Sequence, residues 1–189
     1  MKNFAPDKIR NFVVAGAAGS GKTALADLML FKAGAVTRQG NVDNGSSVSD
    51  FRKEEQDRKC SIYSSVMNCD WKDCHFFFID TPGGNDSCGE AMNAINAADM
   101  MILVVDAATE VGPGTLRAWR QARDRKMPRL VFINGCDHDN ADFKHKLDII
   151  RQACIRKASV PYTIPVGMAG SFSGVTKVME PGAAGDEVE

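Results

Sequence analysis

The sequence predicts an α/β fold of three α/β/α layers, whose mostly parallel sheet carries one antiparallel edge strand. Short apolar runs of strand length alternate with helical patterns along the chain, which implies βαβ units and a sheet covered on both faces. Lys72-Asp73 lies between two strand-like runs, which reads as a hairpin and so as one antiparallel neighbour. A glycine-rich turn, Gly16–Thr23, joins the first apolar run to the first helical pattern.

In order, Phe12-Val13-Val14-Ala15 is a short apolar run ending in glycine, and a helix is expected from Lys22 to about Lys32. Leu25, Leu28 and Met29 recur at i, i+3 and i+4, the spacing of a packed helical face. From about Gly34 to Lys59 the chain is polar and glycine-rich without a clear period, and a loop of that length inside a compact domain is usually functional or mobile. Ser61–Trp71 and Cys74–Ile79 form the hairpin strands, and Met100–Val105 is a third buried run ending in Asp106. Thr115–Lys126 reads as a helix, with Pro113 suited to its start. Arg129–Ile133 is a buried strand, a helix follows across about Asp142–Lys157, and Val160–Val166 is strand-like, its prolines suggesting an edge or a bulge. The expected layout is one domain over residues 1–180 with a frayed, glycine-rich acidic tail over 181–189.

Composition removes several classes. The net charge of −1 argues against holding nucleic acid by bulk electrostatics, so direct DNA binding is not expected. Six scattered cysteines contain no C-x-x-C pair, which argues against a zinc site and for free thiols in a reducing cytosol. With no signal-peptide pattern and no apolar run approaching ~18 residues, no membrane association is expected and the location is read as cytoplasmic.

Gly16-Ala17-Ala18-Gly19-Ser20-Gly21-Lys22-Thr23 matches G-x-x-x-x-G-K-[ST] at every position. Glycines at that spacing let backbone N–H groups curl around phosphate oxygens, and the following helix N-terminus adds favourable dipole charge. Lys22 brings a point charge to the β- and γ-phosphates, Thr23 brings a hydroxyl to Mg²⁺, and Ala24 continues the phosphate-facing turn. The predicted fold is therefore that of a P-loop nucleoside triphosphatase.

Phe76-Phe77-Phe78-Ile79 runs into Asp80-Thr81-Pro82-Gly83. An acidic residue at the end of a buried strand downstream of a phosphate loop is placed to hold Mg²⁺ through water. Gly83, lacking a Cβ, can bring its N–H close to a γ-phosphate, so Lys22 and Gly83 are the expected γ-phosphate stabilisers. Farther on, Asn134-Gly135-Cys136-Asp137 stands where guanine-binding proteins carry N-K-x-D. An aspartate there takes two charge-assisted hydrogen bonds from guanine, worth about 1.5–3 kcal/mol each. Asn134 braces the loop, and Gly135 replaces the lysine whose stem normally covers one face of the base. Weaker binding, with guanine preference partly kept, is expected.

Taken together the chain resembles the N-terminal GTP-binding domain of elongation factor G, in the translational GTPase family, and most closely its divergent paralogues. The likeness extends from about Phe12 to Met179 and includes Glu55-Gln56-Asp57-Arg58-Lys59-Cys60-Ser61-Ile62, where the family has a run like E-Q-E-R-G-I-T-I. It also takes in Ala118-Trp119-Arg120-Gln121-Ala122, Asp137 leading to Ala141-Asp142-Phe143, and the stretches Val160–Gly167 and Phe172–Val175. The resemblance implies a GTP/GDP-binding, Mg²⁺-dependent switch acting with the ribosome, and it puts Ser61 in place of the family's Mg²⁺-binding threonine, beside Thr23 and Asp80. It also implies slow hydrolysis, because Gly84 stands where the family has the histidine that positions the attacking water. The chain stops where the family's inserted subdomain begins, so it reads as an N-terminal piece or a truncated relative. A non-hydrolysing interaction module that keeps the fold is the alternative, and release of phosphate at saturating GTP separates the two.

Overall fold

A computed structural model describes residues 4–154 and 160–178. The expected tail, the end of the expected helix at 155–157 and Met179 lie outside the described residues. Among the described residues the elements are seven strands and five α-helices, most of them in the expected alternation: β1 Ile9–Gly16, α1 Lys22–Lys32, α2 Lys53–Arg58, β2 Ser65–Trp71, β3 Cys74–Asp80, α3 Cys88–Ala97, β4 Met100–Asp106, α4 Pro113–Asp124, β5 Arg129–Asn134, α5 Phe143–Ala153, β6 Thr163–Val166 and β7 Gly174–Lys177. The main sheet runs β2-β3-β1-β4-β5, with β1 parallel to β3 and β4, and β2 antiparallel to β3. A parallel sheet with an antiparallel edge is what the alternation and the hairpin require. Lys72 and Asp73 at the hairpin turn both have positive φ, 45° and 62°, the conformation whose twist matches the flanking strands.

The described chain falls into two compact units. The first holds the residues up to Val105 with Gly112–Phe132, and the second holds Asp106–Val111 with the residues from Ile133 on. In the first unit, period-2 alternation sends Phe12 and Val14 of β1 towards α1, where they pack with Ala26, Leu30, Met67, Phe78 and Val104. Val13 and Ala15, fully buried, belong to the opposite face, and α3 and α4 pack on each other and on β1. In the second unit, α5 starts at Asp142, whose side chain accepts the N–H of His145 at 2.9 Å. Ile150 and Cys154 are buried there, and the Lys146 ammonium donates to the Thr109 carbonyl.

Four sequence expectations are corrected. The first hairpin strand begins at Ser65 rather than Ser61, because the N–H groups of Ile62 and Tyr63 are held by the Glu55 carboxylate instead of a strand neighbour. The polar stretch 34–59 contains α2, which is polar all round and so has no apolar period to reveal it. Helix α3 was not expected, and the strand at 160–166 is shorter and pairs with β7 in a separate two-stranded sheet. Its prolines accordingly cost no hydrogen bonds in the main sheet.

Candidate functional site

Strand β1 ends in Gly16, where an added Cβ would lie 2.2 Å from the Val104 carbonyl oxygen, so only glycine fits. Gly19 and Gly21 have φ of 76° and 88°, the left-handed region that glycine enters freely. These turns curl the backbone into a loop that opens on the N-terminus of α1, where Gly21 caps the helix without any side-chain hydrogen bond. The first-turn N–H groups are thus left without a side-chain cap, and the helix dipole adds to them; this is an anion-binding arrangement. Ala24, in that first turn, is exposed.

Three polar side chains turn inward around the loop. Lys22, buried, donates from Nζ to the Ala17 carbonyl at 2.8 Å, and Ser20 Oγ donates to the same oxygen at 3.0 Å. Burial pushes the Lys22 ammonium below the usual lysine range, while the charges of Asp80 and Asp50 oppose that shift. Ala17 N–H is held by Thr115 Oγ1 at 3.1 Å. Gly83 lies directly against the loop: a Cβ on it would stand 2.4 Å from Ala18 N and 2.5 Å from Lys22 Nζ. Gly84 is exposed, and a Cβ there would meet nothing within 4 Å.

Thr23, Ser61 and Asp80 come together. Thr23 Oγ1 donates to Asp80 Oδ2 at 2.7 Å and lies 3.0 Å from Ser61 Oγ. Ser49 Oγ donates to the same carboxylate oxygen at 2.8 Å. The other oxygen, Asp80 Oδ1, is buried without a hydrogen-bond partner. Burial raises the Asp80 carboxyl to about 6, with the Thr23 and Ser49 hydrogen bonds and the Lys22 charge pulling down and Asp50 pushing up. Two hydroxyls and a carboxylate with one buried, unsatisfied oxygen are the hard oxygen donors that Mg²⁺ takes, so the residues present fit that ion.

Asp50 and Ser49, which carry no motif, were missed by sequence reasoning. Asp50 is 2% exposed and neither of its oxygens meets hydrogen-bond geometry with a partner. Its carboxyl is raised first by burial, against which the Ser61 hydroxyl and Lys22 act. The segment that carries these residues is tied down by side chains. Asp27 of α1 accepts Val48 N–H at 3.0 Å, Glu55 accepts Ile62 and Tyr63 N–H at 3.0 and 3.1 Å, and Glu90 accepts Ser64 N–H at 3.1 Å.

In the second unit, Asn134 ends β5 and its carbonyl accepts Ala107 N–H at 2.7 Å. Gly135 follows at φ 71°, and the His138 N–H donates to its carbonyl at 3.1 Å, closing a turn around Cys136 and Asp137. Asp137 is exposed, and Cys136, whose thiol burial pushes up, is buried. None of the six cysteines is in a disulfide. Among the described residues no group of three or more His, Cys, Asp or Glu is placed to hold a metal by itself, and no helix is long and apolar enough to cross a membrane.

Residues 7–181 match the family model described as the elongation factor Tu GTP binding domain. Among curated proteins the chain is similar to elongation factor G of Mycoplasma pneumoniae, 34% identical over 171 residues, covering 90% of this chain and 25% of that protein. It is equally similar, 34% over 179 residues, to elongation factor G of Mycoplasma genitalium, covering 95% of this chain and 25% of that one. A crystal structure from Thermus thermophilus superposes with a TM-score of 0.84 at 30% identity, over 90% of this chain and 25% of that one. The chain spans about a quarter of the length of the curated relatives it matches.

Proposed function

The chain belongs to the family of elongation factor Tu GTP binding domains, and from that premise we propose that it is the Mg²⁺-dependent guanine-nucleotide switch of an elongation-factor-G-like protein. In this reading it works with the ribosome in the cytoplasm and hydrolyses GTP slowly. The observation that carries the reading is the meeting of Thr23, Ser61 and Asp80 beside the loop Gly16–Thr23, with Asp80 Oδ1 buried and unsatisfied.

Each residue then has a task. The N–H groups of the loop and of the α1 first turn between Gly16 and Ala24 hold the phosphate oxygens, apart from that of Ala17, which Thr115 Oγ1 keeps. Lys22 exchanges its Ala17 carbonyl for the β- and γ-phosphates, and Gly83 offers its N–H to the γ-phosphate. Thr23, Ser61 and Asp80 would hold Mg²⁺, which neutralises charge on those phosphates. Asn134 and Asp137 read the guanine edge. Slow turnover follows from Gly84, which has no group to orient an attacking water, so charge stabilisation by Lys22 and the loop N–H groups carries the catalysis.

Isothermal titration with a non-hydrolysable GTP analogue and Mg²⁺, repeated with the ATP analogue, tests the reading. Binding of the GTP analogue alone, abolished by Lys22→Ala, is the expected result; no binding of either removes the guanine switch. Phosphate release at saturating GTP, with and without ribosomes, then separates slow turnover from an interaction module that keeps nucleotide but releases none.

A further inference from the structure

A carboxylate that reads the edge of a purine leaves both flat faces of the base to be covered by something else. Proteins cover them with aromatic rings, His included, or with flat guanidinium groups. Position 135 gives no such cover, because Gly135 carries no side chain and sits at φ 71°, where other residues are strained. The space a side chain would need there is filled by an imidazole: a Cβ on Gly135 would lie 2.8 Å from His138 Nδ1 and 2.9 Å from His138 Cε1.

Local geometry fixes that ring. The turn closed by His138 N–H on the Gly135 carbonyl brings the fourth residue back over the first. Near the same ring nitrogen stands Asp106, buried at the end of β4, with Oδ1 accepting the N–H groups of Ala108 and Thr109 at 2.6 and 3.0 Å. Its Oδ2 is 3.8 Å from His138 Nδ1. The Nδ1 edge of the ring thus lies against Gly135 and near Asp106, while 57% of the side chain remains exposed. All of these residues lie in the second compact unit. An exposed aromatic ring fixed at the mouth of a base-reading turn is a stacking surface.

We infer that His138 covers one face of the bound guanine base, in place of a side chain at position 135, and that Gly135 is glycine because any Cβ would displace the ring. The inference rests on the guanine-switch reading above and adds the residue that contacts the face of the base. Stacking tolerates any base, so His138 sets affinity while Asp137 sets the preference for guanine.

The test is titration of the full chain with GDP and with IDP, which lacks the 2-amino group that Asp137 would read. His138→Ala should weaken both about tenfold, leaving their ratio unchanged within about twofold, and His138→Phe should restore most of the loss. Unchanged GDP affinity in His138→Ala overturns the inference. So does a collapsed GDP/IDP ratio, which would mean that His138 only shapes the loop around Asp137. Failure of the unaltered chain to bind GDP overturns the guanine reading itself and this assignment with it.

Discussion

Replacing Asp80 with asparagine should stabilise the nucleotide-free chain at neutral pH, while removing a proposed Mg²⁺ ligand. The Asp80 carboxyl is fully buried, and burial before any other cause raises it from 3.8 to about 6. That difference corresponds to about 3 kcal/mol of preference for the protonated group in the folded chain. Because the folded state binds this proton more tightly than the unfolded state, the contribution of Asp80 to stability is fully present below 3.8 and is lost as pH rises through about 6. An asparagine keeps one oxygen for Thr23 and Ser49 and carries no charge, but it puts an amide where Oδ1 already lacks a partner. An unsatisfied buried donor costs about 1–3 kcal/mol, which leaves a net gain of about 1 kcal/mol at pH 7.5. The firmer quantity is the slope. Between pH 4.5 and pH 7.5 the stability of Asp80→Asn relative to the unaltered chain should grow by about 2 kcal/mol, read by urea unfolding in EDTA. A difference that stays constant across that range would refute the reasoning.

Gly83→Ala places a methyl 2.4 Å from Ala18 N, so urea unfolding should show a loss of about 1–3 kcal/mol; a loss under ~0.5 kcal/mol would mean that the turn yields freely. Gly84→His meets open space, so its fold should be intact, and its phosphate release at saturating GTP should rise by about 10²-fold if orienting water limits turnover. An unaltered rate would place the limit elsewhere. Glu55→Ala removes the acceptor of two charge-assisted hydrogen bonds, so amide exchange at Ile62 and Tyr63 should accelerate by at least tenfold. Protection that survives at both amides would show that another contact orders the segment.

What could be read from sequence was local. The run Gly16–Thr23 is contiguous, and each of its glycines answers to a backbone conformation or a close approach that the structure displays. The run Asp80–Gly83 likewise sits at a strand end that its phenylalanines announce. Ser49 and Asp50 were illegible because their role arises from a fold-back of 31 residues in sequence onto Asp80, in a stretch with neither period nor motif. Helix α2 was hidden for a related reason: its one buried side chain is Glu55, so the residue that anchors it looks like a solvent residue. In α3 the buried positions are Ala94 and Ile95 alone, too few to make a stripe. The ring of His138 belongs to the same class, since only the turn reveals that residue 138 lies over residue 135.

The Ala17 carbonyl gathers the ammonium of Lys22 and the hydroxyl of Ser20 onto one oxygen. That oxygen behaves as a resident competitor for the same cation a phosphate would claim. In the role proposed for Lys22, nucleotide capture includes an exchange of partners for one ammonium, and that part of its free energy is the difference between the two. Such an arrangement keeps a buried charge hydrogen-bonded to the protein, and in the proposed role it lowers affinity for any anion that cannot displace a carbonyl.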